Sequence, residues 1–444
     1  MTTAIEPDRM KISSKHLSAY VPTASTWFVP LVSLLFALLL AVSCHKNDDP
    51  EDPAPKPPYG TEVGRVVVVY MAGENSLATY TGRDLREMLA GTKYLGEDDH
   101  LIVYMDNTQN PRLYDLTYYC KDTPIDSLKP VVTYETDLNS CSPEVMSEVL
   151  DYVKQHYPSE SYGLVLWSHA SGWIPPVPYP YVGGYSAWGA KQRSFGYDNG
   201  HNNTTDYGGQ MSINELRDVL LQFGNIDFLM FDACFMQNIE TAYQLRNCAR
   251  YIVASPAEIP GPGAPYHTLL KPMFQDSACV EGIVETYYEC YRDDNLYGVL
   301  LSAVDCQQLE RVAQVCKTYI QAHKEDLINL DYSSVLNYFW WDSYFMYNYP
   351  DFYDMQGVMR AVLTETEYFL WHAEFQKLFV AQVHTDRWYS AFNRSSQNRV
   401  DADQYSGISM HIPLYKYAGR EKWFAPAYYE TDWARTVWGE PKVK

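Results

Sequence analysis

The sequence predicts an α/β fold whose core is a largely parallel sheet flanked by helices. Three observations predict it. Short β-branched or apolar runs recur, each bounded by turn residues, which is the pattern of strands buried on both faces. Amphipathic stretches at helical spacing separate those runs, so strand and helix alternate as parallel pairing requires. The chain has 444 residues and is 46% hydrophobic, enough for one large domain with additions or for two or three domains.

Residues 1–43 read as a targeting segment. Lys11 and Lys15 precede an apolar run from Leu31 to Val42, which is too short for a comfortable membrane span and fits a signal-peptide core. The run ends in Leu40-Ala41-Val42-Ser43-Cys44, small residues before a cysteine, as in a bacterial lipobox where Cys44 is acylated and becomes the mature N-terminus. An ordinary signal peptide cleaved nearby and an uncleaved anchor are the alternatives. The long stretch ahead of the run points to a later start such as Met10. Residues 44–62 are acidic and Pro-rich and read as an extended tether.

Val66 to Met71 is the first buried strand, and a helix is expected around Thr81 to Ala90. Leu101 to Met105 is the second strand, with a hairpin around Tyr118 and Tyr119 after it. Ser142-Pro143 has the N-cap and first-turn residues of a helix running to Tyr157. A third strand, Gly163 to Trp167, runs into Ser168-His169-Ala170-Ser171-Gly172-Trp173. Ile174 to Gly209 is a long loop rich in Pro, Gly, Tyr and Asn. Ser212-Ile213-Asn214-Glu215 is a capping box that opens a helix to Phe223. The strand Phe228 to Phe231 leads into Asp232-Ala233-Cys234, where alternation puts Asp232 and Cys234 on one face. A helix over Gln237 to Cys248, a strand Tyr251 to Ala254 and a Pro/Gly-rich loop carrying Glu258 follow. Residues 276–292 read as helix, 298–304 as strand, 305–323 as an amphipathic helix and 334–383 as mostly helical and aromatic. Gly407 to Pro413 is a late strand. The expected division is a core over 63–304 and, over 305–444, a helical region whose late strand returns to it.

The net charge of -21 disfavours nucleic acid, whose phosphates an acidic surface repels. The nine cysteines form no C-x-x-C pair, so they do not read as a structural zinc site. Disulfides are compatible with export, but spacing does not pair them. His100, His156, His323 and His411 are scattered and read as structural.

Two strand ends carry chemistry. One presents His169 and the other Cys234. Parallel strands gather their C-terminal ends at one edge, so the two can face each other as a general base and a nucleophile. The backbone N–H groups of Cys234 and of a residue just after His169 are candidate donors for a developing oxyanion.

Tyr162 to His169 with Gly172-Trp173, and Phe231-Asp232-Ala233-Cys234-Phe235-Met236, resemble the clostripain-like cysteine peptidases. Val69-Tyr70-Met71-Ala72-Gly73-Glu74-Asn75, Tyr157-Pro158, Ala257 to Gly261 and Gly407-Ile408-Ser409 extend the likeness over roughly residues 63–440. The resemblance implies a caspase-like or gingipain-like fold, to which the aromatic residues of the C-terminal part add a helix-rich extension. It implies that His169 is the base and Cys234 the nucleophile, with the N–H groups of Ala170 and Cys234 as the oxyanion site. Asp232 takes the position of the acid that shapes the pocket for a basic residue before the scissile bond. The implied substrate is therefore a protein or peptide cut after Arg or Lys. Lys191 and Arg193 become candidate self-cleavage sites. No cofactor is required by the reaction. Calcium serves some relatives, and Asp198, Asp206 and Glu258 are acids near enough in sequence to help hold it.

One residue departs from the family pattern. Ala170 stands where Gly is usual, which predicts either a rearrangement using Ser171 and Gly172 or reduced activity, because Ala does not tolerate positive φ. The readings carried forward are an exported, lipid-anchored cysteine endopeptidase at the bacterial outer membrane or cell surface, and a noncatalytic surface lipoprotein on the same scaffold that binds protein or glycan. A glycoside hydrolase finds little support, Asp232 with Glu258 being the best carboxylate pair.

Overall fold

The computed structural model opens with the strand and helix that the sequence predicts: β1 (Val66–Ala72), buried at every position, and α1 (Ala78–Gly91). The structure describes residues 64–174, 194–200, 209–275, 279–338, 351–391, 395–414 and 424–439. Cys44, the tether, Lys191, Arg193 and Asp206 lie outside these residues.

The chain continues through β2 (His100–Asp106), β3 (Arg112–Asp115), β4 (Val132–Thr133), α2 (Pro143–His156) and β5 (Tyr162–Trp167). The Ser142 hydroxyl accepts from the Val145 N–H and Pro sits in the first turn of α2, as the sequence predicts. Next come β6 (Phe195–Asp198), β7 (Gly209–Met211), α3 (Ile213–Phe223) and β8 (Ile226–Asp232). Ser212 and Glu215 form the expected capping box of α3.

After β8 the sequence and the structure part. The helix expected over Gln237 to Cys248 is only α4 (Ile239–Gln244). Phe235 and Gln237 instead donate their N–H groups to Ala257 and Ser255, which holds the preceding residues in a loop until Asn238 caps the helix. Then follow β9 (Ala249–Ala254), α5 (Tyr266–Met273), α6 (Val280–Tyr291), β10 (Leu300–Asp305), α7 (Cys306–Ala322) and α8 (Lys324–Asn329). The aromatic region holds β11 (Tyr353–Asp354), α9 (Met355–Val362), α10 (Glu365–Phe375), β12 (Phe379–His384), β13 (Arg387–Ser390) and β14 (Ser395–Arg399). β15 (Ser409–Met410), α11 (Phe424–Tyr428) and a π-helical turn over Ala434–Trp438 follow.

Among the described residues, nine strands form one sheet in the order β12-β10-β9-β8-β5-β1-β2-β3-β4. The five central strands, β9 through β2, are parallel, and antiparallel strands finish both edges. Edge strand β12 comes from the region expected to be mostly helical, and it pairs with β10 across the expected division at residue 304. The late strand does not join this sheet. β15 makes a two-residue ladder with β11, and Ser409 bridges Asn238 in the loop that follows Cys234.

Alternation along the strands divides the core into two layers. Tyr70, Leu164, Leu166, Leu229 and Phe231 face α2, α3 and α7; Val69, Met71, Val165, Trp167 and Met230 face α1, α5 and α6. Helices thus cover both faces of a buried sheet. The C-terminal ends of β1, β5 and β8 meet at one edge.

Candidate active site

β5 and β8 pair in parallel, and their last rung joins Trp167 to Asp232. His169 and Cys234 each stand two residues beyond that rung, at the matching ends of neighbouring strands. The sequence predicts that the two strand ends come together, and after a register shift at Tyr162 the rungs from Gly163–Phe228 to Trp167–Asp232 run unbroken to those ends. Both residues are half-buried. Cys248 and Cys316 are buried thiols that desolvation pushes up to about 12, so they are poor nucleophiles at neutral pH.

His169 is held from three sides. Its Nε2 lies 2.8 Å from the Ser76 hydroxyl. Its carbonyl accepts the Gly196 N–H at 2.9 Å, tying it to β6. Ser168 beside it donates its hydroxyl to Ala72 O at 2.7 Å and accepts from the Tyr197 N–H at 3.3 Å. The turn after β1 supplies the Ser76 contact. Gly73 is needed there because a Cβ would approach Thr81 and Asp106 O within 2.8 Å. Asn75 shapes the turn by donating to Ala72 O and Tyr197 O and accepting from the Leu77 N–H. The Tyr-Met-Ala-Gly-Glu-Asn sequence marks this turn, but nothing in it assigns a role to Ser76.

Cys234 closes a tight loop. Phe235 directly after it has φ 60, a conformation that a bulky residue adopts only when its surroundings enforce it. The enforcing contacts are the bonds to Ala257 and Ser255 and the packing of Gly172 against Phe235 O and Asn238. The Ile259 N–H points at the Cys234 sulfur at 3.4 Å.

The loop also ends strand alternation, so Asp232 and Cys234 do not share a face as expected. Cys234 packs with Ala170 against the layer of α2 and α3. Asp232 turns to the opposite layer, where its carboxylate accepts from Ala264 N–H at 3.0 Å, Tyr266 hydroxyl at 3.0 Å and Tyr287 hydroxyl at 3.4 Å. Burial pushes its pKa up to about 6, against the lowering effect of those three donors. The loop from Cys234's neighbour Ile259 to Asp232's neighbour Ala264 connects the two residues.

Ala170 does not need positive φ. It bridges Phe195 in an antiparallel pair flanked by the His169–Gly196 and Ser171–Ser194 bonds. Among the described residues, only Asn225 and Phe235 combine a side chain with positive φ. The expected rearrangement therefore loses its cause. In such a pair the middle residue's N–H points away from its partner strand, and no hydrogen bond takes up the Ala170 N–H among the described residues. The residue here that does need glycine is Gly172, with φ 67 and a Cβ position 2.3 Å from Asn238 Nδ2.

Of the acids expected to help hold calcium, Asp206 lies outside the described residues. Glu258 accepts from Ala391 N–H at 3.0 Å and from Ser390, and burial pushes it up to about 7. Asp198 instead converges with Glu74 and Asp106, neither of which the sequence marks as a ligand. Of the histidines read as structural, His100 lies 3.0 Å from Asp115 and His323 3.1 Å from Glu367.

Comparison with known proteins matches residues 69–406 to the Clostripain family, Peptidase_C11. Clostripain of Hathewaya histolytica is 28% identical over 139 residues, which is 30% of this chain and only 24% of that protein. A secreted C11 cysteine protease from Bacteroides thetaiotaomicron, solved with an irreversible peptide inhibitor, superposes with a TM-score of 0.67 at 28% identity, covering 84% of this chain and 98% of that one. An inactive zymogen C11 protease from Parabacteroides distasonis gives 0.69 at 28% identity, covering 85% and 99%.

Proposed function

Since this chain belongs to the Clostripain family of cysteine peptidases, we propose that it hydrolyses peptide bonds with Cys234 as nucleophile and His169 as general base. The observation that carries this reading is the shared rung, which sets both residues at one height on adjacent strand ends. With Nε2–H donating to Ser76, the lone pair of Nδ1 takes the thiol proton. The sulfur attacks the carbonyl carbon, forming a C–S bond. The carbonyl oxygen becomes an anion that the N–H groups of Ala170 and Cys234 stabilise. His169 returns the proton to the amine as the C–N bond breaks, and water then hydrolyses the thioester.

The finer assignments are part of the same proposal. Asp232 selects Arg or Lys before the scissile bond through its carboxylate at the end of β8. Lys191 and Arg193 lie between the catalytic strands in sequence and are the cleavage points of an activating cut, an idea supported by the zymogen described for the Parabacteroides neighbour. Cys44 carries the lipid of an exported protein, in line with the secreted Bacteroides neighbour. Among the described residues, no helix is long and apolar enough to cross a membrane.

The test is a digest of a peptide-amide library with pre-reduced protein of mature length beside Cys234→Ala. Cleavage after Arg or Lys, absent in the variant, supports the proposal. No cleavage of any peptide by the unmodified protein would sink it in favour of the noncatalytic scaffold.

A further inference from the structure

The loop from Glu258 to Ala264 touches both Cys234 and Asp232. Near its start the Ile259 N–H points at the Cys234 sulfur at 3.4 Å, and at its end the Ala264 N–H donates to Asp232 at 3.0 Å. A peptide that presents its carbonyl to Cys234 and a basic side chain to Asp232 therefore spans this loop. Three half-buried tyrosines from separate segments gather round it. Tyr80 of α1 brings its hydroxyl 3.2 Å from where a Cβ on the exposed Gly261 would stand. Tyr297, in the turn before β10, and Tyr389 of β13 meet edge to face with ring centroids 6.0 Å apart. Tyr389 adjoins Ser390, whose side chain joins the Ala391 N–H in holding Glu258. Burial, then the neighbouring Tyr80 and Tyr389, raise the pKa of Tyr297, so the three lie together. Tyr80, Tyr297 and Ile259 pack on the apolar layer of α1 and α6. None of the three tyrosine hydroxyls is buried, and none is hydrogen-bonded among the described residues. Rings fixed by packing, with free polar tips at the surface, are the kind of contact area that recognition sites use.

We propose that Tyr80, Tyr297 and Tyr389, with Ile259, form a subsite that takes an aromatic or branched aliphatic side chain adjoining the basic residue of the substrate. The subsite rests on the peptidase reading and deepens it by adding a preference at a second position. An apolar side chain set against these rings removes apolar surface from water on both sides. An acidic side chain gains nothing from the rings and meets the Asp294 carboxylate, which accepts the Tyr297 N–H at 2.8 Å. Gly261 matters for access: with no side chain of its own, it leaves the loop's backbone open beside Tyr80.

The experiment compares peptide amides that share one basic residue and carry Leu, Phe, Ala or Asp beside it, on either side. Cleavage by pre-reduced full-length protein gives kcat/KM. Fluorescence anisotropy with full-length Cys234→Ala gives Kd without turnover. The expected result is that, at one of the two positions, Leu and Phe exceed Asp by about tenfold or more in both measures. Tyr297→Ala and Tyr389→Ala each collapse that ratio, whereas Tyr297→Phe, which keeps the ring, retains it. Circular dichroism identifies a variant that has not folded, and the other variant then decides. Equal handling of the Leu, Phe and Asp peptides at both positions overturns the proposal. So does a preference that both folded Ala variants keep. If no peptide is cleaved, the peptidase reading fails, and the binding ratio and its loss in the variants judge the subsite separately.

Discussion

Trp167 and Asp232 face each other in the last rung between β5 and β8. That single pairing fixes the height of His169 against Cys234, since each lies two residues further along its own chain. Both then leave the strand and are fastened by different partners, His169 by Ser76 and Cys234 by the Ile259 N–H.

Replacing either member of the pair removes the reaction. Cys234→Ala and His169→Ala are each expected to lower kcat by about 10³-fold or more on an Arg or Lys peptide amide. Because both side chains are half-buried at the sheet edge, Tm stays close to that of the unmodified protein. Active-site titration together with thermal unfolding checks both statements.

Ser76 is a positioning residue. Losing one hydrogen bond of ordinary strength is worth about 1 kcal/mol, so Ser76→Ala should lower kcat by ~5–10-fold with little change in KM. The acid limb of the kcat pH profile should move as well, because the hydroxyl in contact with Nε2 interacts differently with the neutral and the protonated ring. Ser76→Thr, which keeps the hydroxyl, should restore both. An unchanged pH profile in Ser76→Ala would show the contact to be incidental.

Asp232→Asn distinguishes recognition from support. The retained oxygen keeps the Ala264 N–H and the Tyr266 hydroxyl, which share Oδ2, while the new amide N–H₂ takes the Oδ1 side against the Tyr287 hydroxyl, at a cost of about 1 kcal/mol of stability. If Asp232 also reads the substrate, the ratio of kcat/KM for Lys over norleucine before the scissile bond collapses. A fall in Tm with that ratio intact would confine the residue to a structural role.

Glycine is required at position 172 rather than 170. Gly172→Ala puts a methyl into Phe235 O and Asn238 at φ 67, and should disturb the loop of Cys234, with a loss of roughly 2 kcal/mol or more and most of the activity. Ala170→Gly only loosens an extended bridge, with an expected cost of about 0.5–1 kcal/mol and no gain in kcat.

Stability should fall as pH rises. Burial pushes Glu74 up to about 8 from 4.5 and raises Asp106 and Asp198 as well. The folded state therefore holds protons that the unfolded state has released. This contribution is complete below the unfolded values and is lost as pH climbs through the folded ones. Tm should decline between about pH 5 and pH 9, and Asp106→Asn should flatten that decline. A profile identical in the variant would remove these acids as its source.

Local chemistry made much of this molecule legible. The β-branched run of Val66 to Val69, the Ser142-Pro143 start and the Ser212–Glu215 capping box each declare their element within a few residues, and each is present. Phe379 to His384 was illegible because its strand character comes from pairing with β10, while its sequence continues that of α10. The helix after Cys234 was overread because residues 235–238 are claimed by hydrogen bonds from the loop after β9, which is distant in sequence.

The sequence by itself determined the family, the parallel core and the two strand ends that carry His169 and Cys234, because strand burial and the residues that end a strand are local properties. Only the tertiary structure decided what surrounds them. It turned Asp232 into the opposite layer, took the strain from Ala170 and set it at Phe235 and Gly172, brought Ser76 to the histidine, and gathered Glu74, Asp106 and Asp198. Each of those outcomes depends on where separate segments end relative to one another. Register and loop closure set those positions, and no short stretch of sequence encodes them alone.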